Sequence, residues 1–186
     1  MKIFIKNMVC GRCITAVESI FNEFKIKIKS LSLGEVETEF EISEEDLHSI
    51  EKKLLETGFE RIKDSAHQLI EKIKNLIIIK ISDLDVDENF ILSEFLSAKL
   101  HKEYSALSKA FSQNENTTLE QFFILQKIEK VKELLLYNEF TLTEIAGKLG
   151  YKSVQHLSSQ FRNSTGFTPT EFKKLKIHIR KPLDLV

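Results

Sequence analysis

Cys10 and Cys13 are the only two cysteines of the chain, and two residues separate them. Thiolates at this spacing can grip one soft metal ion, Cu(I) among them, and a helix starting beside them favours thiolate over thiol. Cycling between dithiol and disulfide, or plain packing, would use the same pair, and the spacing leaves all three open. Thioredoxin-like context is missing, since the chain has no tryptophan and only two prolines. The five histidines, His48, His67, His101, His156 and His178, make no zinc-ligand spacing with the cysteines. There is no Gly-rich phosphate loop, no nucleophile elbow and no motif-placed pair of carboxylates, so nothing points to an enzyme.

The second group of chemically suggestive residues is polar and spaced for reading a surface. Leu157 and Phe161 are four residues apart and can face inward from one helix, which leaves Gln155, Ser158, Ser159 and Arg162 on its outer face. This helix belongs to a unit that occurs twice. Leu96 to Leu100 resembles Ile145 to Leu149 at an offset of 49. Beyond the next turn the offset is 50, pairing Leu107 with Leu157, Phe111 with Phe161, Thr118 with Thr168 and Phe122 with Phe172. The second turn is therefore one residue longer than the first. Thr141 with Glu144 reads as a capping box, Gly150 as a helix stop, Ser153 as a cap, and Thr168-Pro169-Thr170-Glu171 as a helix start. A long helix from Thr118 to about Tyr137 joins the copies. A small polar helix held by an apolar one suits the DNA major groove, and a stiff linker would set two such helices about 34 Å apart, one duplex turn.

These helices need an N-terminal partner domain to carry the cysteines. Lys2 to Lys6 alternates as a strand, and Ile14, Val17, Ile20, Phe21 and Phe24 recur at helical spacing. Ile26 to Lys29 alternates again, Leu33-Gly34 is a turn, and Val36, Thr38, Phe40 and Ile42 share a face. Ser43 caps a helix opened by Glu44, Glu45 and Asp46 and carrying Leu47, Ile50, Leu54 and Leu55 as far as Gly58, and Phe59 to Ile62 is a last strand. The order β-α-β-β-α-β is the ferredoxin-like one. Residues 65–80 read as a helix with Leu69, Ile70, Ile73, Leu76, Ile77 and Ile81 on one side, either joining the halves or pairing with a second copy to give a homodimer. Asp83 to Glu88 reads as an acidic loop or helix entrance. The expected class is α+β, with a ferredoxin-like domain over 1–63, a linker helix and acidic loop over 64–88, and an all-α double helix-turn-helix domain over 89–186.

Composition fits a globular protein, with 42% hydrophobic and 30% charged residues, and no run approaches the roughly 18 apolar residues of a membrane span. With no secretory signal at the N-terminus either, the expected setting is cytoplasmic. The net charge of −1 gives no global signature for nucleic acid. Locally, Arg162, Lys173, Lys174, Lys176, Arg180 and Lys181 face Glu171 alone, and such a patch can track phosphates.

Two resemblances sharpen this. The stretch Leu142 to Tyr151, followed by Ser153 to Arg162, Gly166-Phe167-Thr168-Pro169 and Phe172-Lys173, with Ile128 to Leu135 ahead of it, resembles the DNA-binding domain of AraC/XylS transcription regulators from about Asn89 to Leu175. The resemblance implies seven helices, double-stranded DNA as partner, and two reading helices. Tyr104, Ser105, Ser108 and Lys109 would face DNA from the first, and Val154, Gln155, Ser158 and Ser159 from the second. Ser159 stands where the family often has arginine, which removes one strong guanine contact. Met8-Val9-Cys10-Gly11-Arg12-Cys13 resembles the M-x-C-x-x-C loop of heavy-metal-associated domains, the copper-chaperone fold, over residues 2–63, with Asn7 in place of the usual glycine. It implies Cys10 and Cys13 as ligands of Cu(I) or another soft ion. The expectation is a transcription regulator responsive to a soft metal. The alternative is a metal-handling protein whose helical half is a protein-interaction module.

Overall fold

Alternating apolar residues near the N-terminus become a four-stranded antiparallel sheet. The computed structural model describes residues 1–175 and Leu183, so the basic residues Lys176, Arg180 and Lys181, and His178, lie outside the described residues. The first elements are β1 (Lys2–Lys6), α1 (Gly11–Glu23), β2 (Ile28–Ser32), β3 (Glu35–Thr38), α2 (Glu44–Glu56) and β4 (Glu60–Ile62), and the strands lie in the order β2-β3-β1-β4. Ile3 pairs with Val36, and Ile5 with Arg61. Ile3 and Ile5 point into a core shared with Val17, Ile20 and Phe21 of α1 and Ile50 and Leu54 of α2. Burying a side chain of this size contributes about 1.5–3 kcal/mol.

Three details depart from the alternation pattern, each for a local reason. The second strand begins at Ile28 rather than Ile26, because Lys25 turns left-handed (φ 56°) and the Ile26 N–H donates to the Phe21 carbonyl (3.0 Å), closing α1. The third strand stops at Thr38 instead of running on through Phe40 and Ile42. The Thr38 hydroxyl donates to the Phe40 carbonyl (2.7 Å) and folds the chain back, leaving Phe40 69% exposed. Leu55, grouped with Leu54 by spacing, faces solvent.

Helix α3 (Ser65–Ser82) is longer than expected, and the two compact units of the chain, Met1–Asn75 and Leu76–Val186, divide within it. The division between the units therefore falls inside the stretch 64–88. Side chains explain the division. Gln68 donates to the Ile62 carbonyl, Lys72 sits 4.7 Å from the Phe4 ring centroid and pairs with Glu35, and Asn75 donates to the Leu33 carbonyl (3.2 Å).

The second unit contains α4 (Leu92–Leu100), α5 (Tyr104–Asn114), α6 (Leu119–Tyr137), α7 (Leu142–Lys148), α8 (Val154–Thr165) and α9 (Pro169–Lys174). Among the described residues, six helices rather than seven lie wholly within it, because α3 begins in the first unit and brings only its later turns. Helix α6 packs against α5, α7, α8 and α9. The duplication is visible in the core: Leu96 and Ile145, Leu107 and Leu157, Phe111 and Phe161, and Phe122 and Phe172 are all buried. Phe111 meets Phe122 with ring centroids 5.5 Å apart, and Phe161 meets Phe172 at the same 5.5 Å. The helix starts are duplicated only in part: Thr118 caps α6 through the Gln121 N–H as Thr168 caps α9 through the Glu171 N–H. Thr141 and Thr168 form complete capping boxes with Glu144 and Glu171, and the Ser153 hydroxyl accepts from the His156 N–H, whereas α4 and α5 start at Ile91 and Glu103 with no side-chain cap.

The acidic segment after α3 is more than a loop. The Val86 N–H donates to the Lys148 carbonyl (3.1 Å), and Val86 makes a parallel bridge with Leu149. Gly150 follows at φ +66°, and a Cβ on it would meet the Asp87 carbonyl oxygen at 2.6 Å and Val86 Cγ1 at 2.9 Å. Left-handed backbone costs a side-chain-bearing residue roughly 1–2 kcal/mol before any clash. Gly150→Ala should therefore lower unfolding stability by roughly 2–4 kcal/mol, read as a drop in the urea midpoint with an unchanged slope.

Candidate nucleic-acid interface

Each reading helix expected from the sequence is pinned from below by two buried side chains. In α5 these are Leu107 and Phe111, and in α8 Leu157 and Phe161. Their spacing turns the remaining positions outward. Ser105 and Lys109 are exposed, with Tyr104 and Ser108 half-buried; Gln155, Ser159 and Arg162 are exposed, with Val154 and Ser158 half-buried. The chain has 28 acidic residues, yet neither α5 nor α8 carries any. Carboxylates are the groups a phosphate backbone repels, so these two faces are the ones fit to approach it.

The two faces differ at their leading residue. The Tyr104 hydroxyl donates to Glu120 Oε1 of α6 (2.5 Å). Burial and that hydrogen bond push the phenol upward from its ordinary pKa, and the same bond pulls the carboxyl of Glu120 down. Val154 stands at the matching place in α8 and has no such tether.

Sequence reasoning missed the support beneath α8. Lys127 of α6 is 7% exposed, and its ammonium lies 3.7 Å from the Tyr151 ring centroid and 5.4 Å from that of Phe123. Such a cation over an aromatic face is worth about 0.5–2 kcal/mol. The Tyr151 hydroxyl donates to Gln160 Oε1 of α8 (2.7 Å), and burial raises its pKa. Burial also lowers the Lys127 pKa to about 8; the ring face opposes that effect, because it favours the charged form. The only hint in the sequence was the offset changing from 49 to 50, which marks the extra turn residue.

The cysteines sit elsewhere, in the loop and first turn between β1 and α1. Their sulfurs are 3.5 Å apart, and both are free thiols. Asn7, left-handed at φ 70°, donates its side-chain amide to the Gly58 carbonyl (2.9 Å) and so fixes the start of the loop, while Met8 is fully buried beneath it. Burial raises the pKa of Cys13; for Cys10 the opposing effect of burial is outweighed by hydrogen bonds from Cys13 and Arg12 and by the Arg12 charge, which hold it below the ordinary thiol value. No cluster of three or more potential ligands occurs among the described residues. Two sulfurs at this separation can both reach one ion at a thiolate bond length of about 2.3 Å. The donor pair therefore fits a soft ion.

Residues 96–175 match the family model described as "Helix-turn-helix domain". The xylose operon regulatory protein of Haemophilus influenzae is 33% identical over 69 residues, 37% of this chain but only 18% of that protein's length. Over residues 96–175 the chain is therefore similar to a helix-turn-helix domain. Among solved structures, the C-terminal domain of the response regulator AraT from Geobacillus stearothermophilus has a similar fold, with a TM-score of 0.50 and 20% identity over 61% of this chain and 88% of that one. The C-terminal domain of the response regulator yesN from Fusobacterium nucleatum is 30% identical, with a TM-score of 0.48, over 55% of this chain and 99% of that one. The Haemophilus protein is a regulatory protein by name, and this chain spans less than a fifth of its length. Among the described residues no helix is long and apolar enough to cross a membrane.

The buried ammonium of Lys127 makes a measurable demand. A lysine whose pKa is lower in the folded than in the unfolded chain penalises folding fully below about pH 8, and the penalty is released as pH rises toward 10.5. Lys127→Met should be more stable than the unsubstituted chain at pH 7 by roughly 1–3 kcal/mol, the desolvation cost less the lost ring contact. The difference should shrink between pH 8 and 10.5. Urea denaturation at pH 7 and pH 10 checks it, and a methionine variant that is less stable at pH 7 would refute it.

Proposed function

We propose that the chain is a sequence-specific, DNA-binding transcription regulator of the AraC/XylS kind, with α5 and α8 entering successive major grooves of one promoter duplex. The observation that carries this reading is the pair of acid-free, polar-faced helices, each seated on its own copy of the same apolar core. Ser105, Ser108, Lys109 and Tyr104 meet the first half-site, and Val154, Gln155, Ser158, Ser159 and Arg162 the second. Gln155 suits adenine through a bidentate amide contact, and the half-buried Val154 suits a thymine methyl. The described lysines nearest these faces bind phosphate and set register.

The first unit, read as ferredoxin-like, is the sensory half in a cytoplasmic protein. Cys10 and Cys13 would hold a soft ion such as Cu(I), which supplies charge and a fixed bridge between the loop and α1 when bound. Support comes from the thiol separation and the lowered pKa of Cys10. Metal changes promoter affinity only through unequal affinity for DNA-competent and incompetent forms of the chain. Pairing of two chains into a homodimer belongs to the same reading and would place four reading helices on one operator. The paired thiols equally suit a metal-handling protein with an interaction module, which predicts no DNA shift at any salt concentration.

Two measurements test the proposal. Gln155→Ala or Lys109→Ala should weaken binding to a selected duplex about 5- to 100-fold while changing binding to random duplex far less; equal losses on both would refute base reading. A Cys10→Ser/Cys13→Ser chain should lose Cu(I) binding and keep its melting temperature, because neither cysteine is fully buried. Unchanged Cu(I) stoichiometry in that variant would remove the metal site.

A further inference from the structure

The two helix-turn-helix copies share a core but not a turn. In the first copy the connecting residues His101, Lys102 and Glu103 are all exposed. The turn of the second copy is one residue longer and contains Tyr151, which is 4% exposed. Three side chains from two helices, α6 and α8, meet on this one residue. Lys127 reaches it from α6, 3.7 Å from the ring centroid; Gln160 of α8 accepts its hydroxyl proton at 2.7 Å; and the His156 ring stands against it edge-on, centroids 5.3 Å apart and 83° between planes.

Apolar contacts are non-directional, so a helix seated only on a leucine and a phenylalanine can turn slightly about its axis at little cost. A hydrogen bond and a cation over a ring are directional and resist that rotation. Bidentate base contacts demand such control, with side chains held to about 0.5 Å. Among the described residues α5 has one comparable bond, from Tyr104 to Glu120, and it tethers a residue of the reading face itself.

We propose that Tyr151, backed by Lys127 and Gln160, is a positioning residue that fixes the rotation of α8 and makes the second helix-turn-helix the more discriminating of the two. The inference rests on the DNA-reading function proposed above, and it assigns to a residue of the longer turn a task that neither the duplication nor the reading face carries.

The full chain is used to select duplexes from a pool with a random segment of about 30 bp, enough for two half-sites one turn apart. Lys109→Ala and Gln155→Ala then assign the half-sites to α5 and α8. Tyr151→Leu and Lys127→Met should lose roughly tenfold of the discrimination between the α8 half-site and a scrambled one. Discrimination at the α5 half-site and the salt dependence of binding should stay as they were. Tyr151→Phe, which keeps the ring and loses the hydroxyl, should fall between, and Lys127→Arg should restore reading. Lys127→Met is the decisive variant, because it is expected to be the more stable chain and the poorer reader. Equal losses at both half-sites, no loss at the α8 half-site, or failure of arginine to restore it would overturn the inference while leaving DNA reading intact. A chain that selects no sequence from the pool would overturn DNA reading, and the inference with it.

Discussion

Helix α6 must serve as a common wall for α5, α7, α8 and α9, and a helix enclosed that way has no free side on which to place its charges. Taking an ammonium or carboxylate out of water costs several kcal/mol unless something replaces the water. The helix solves this with aromatic faces and short pairs. Lys127 lies on Tyr151; Lys132 pairs with Glu129 at 2.6 Å and sits 6.0 Å from the Phe172 ring centroid. The ring pairs of the two copies differ in what they join: Phe111–Phe122 ties α5 to α6, whereas Phe161–Phe172 ties α8 to α9, which itself packs on α6. The polar outer faces of α5 and α8 are the sides left over once Leu107, Phe111, Leu157 and Phe161 have been spent on the core.

That arrangement also explains why the interface has so little net positive charge. A basic surface would attract any nucleic acid, whereas on the proposed reading two faces merely cleared of carboxylates would admit a duplex and leave selection to amides, hydroxyls and a few cations. In the first unit the same economy holds at the cysteine loop, where one left-handed asparagine bonded across to Gly58 holds the backbone and a buried methionine anchors it.

Local signals were legible in the sequence wherever the physics is local. The Thr141 and Thr168 capping boxes, Pro169 at a helix start and Gly150 at a turn follow from residues three or four apart, and the structure contains each. The apolar repeat was equally plain, because deep burial admits few residue types. Alternation misled where a side chain competes with the ladder: Thr38 turns the strand that Phe40 would have continued. The support of α8 was invisible, because periodicity assigns a lysine to solvent. Only the meeting of Lys127 with a distant tyrosine makes its burial tolerable. Likewise Asp83 to Glu88 reads as solvated by composition, yet the backbone of Val86, not its neighbours' charges, determines its place.

The unequal helix starts have a consequence for how the second unit comes apart. With hydroxyls and carboxylates tying down the first amides of α7, α8 and α9, and nothing equivalent at α4 and α5, thermal fraying begins at the front pair, where the least is lost. A warmed molecule would then pass through a half-melted form in which the later helices are still folded, and amide protons near Glu103 would trade with solvent long before those near Ser153.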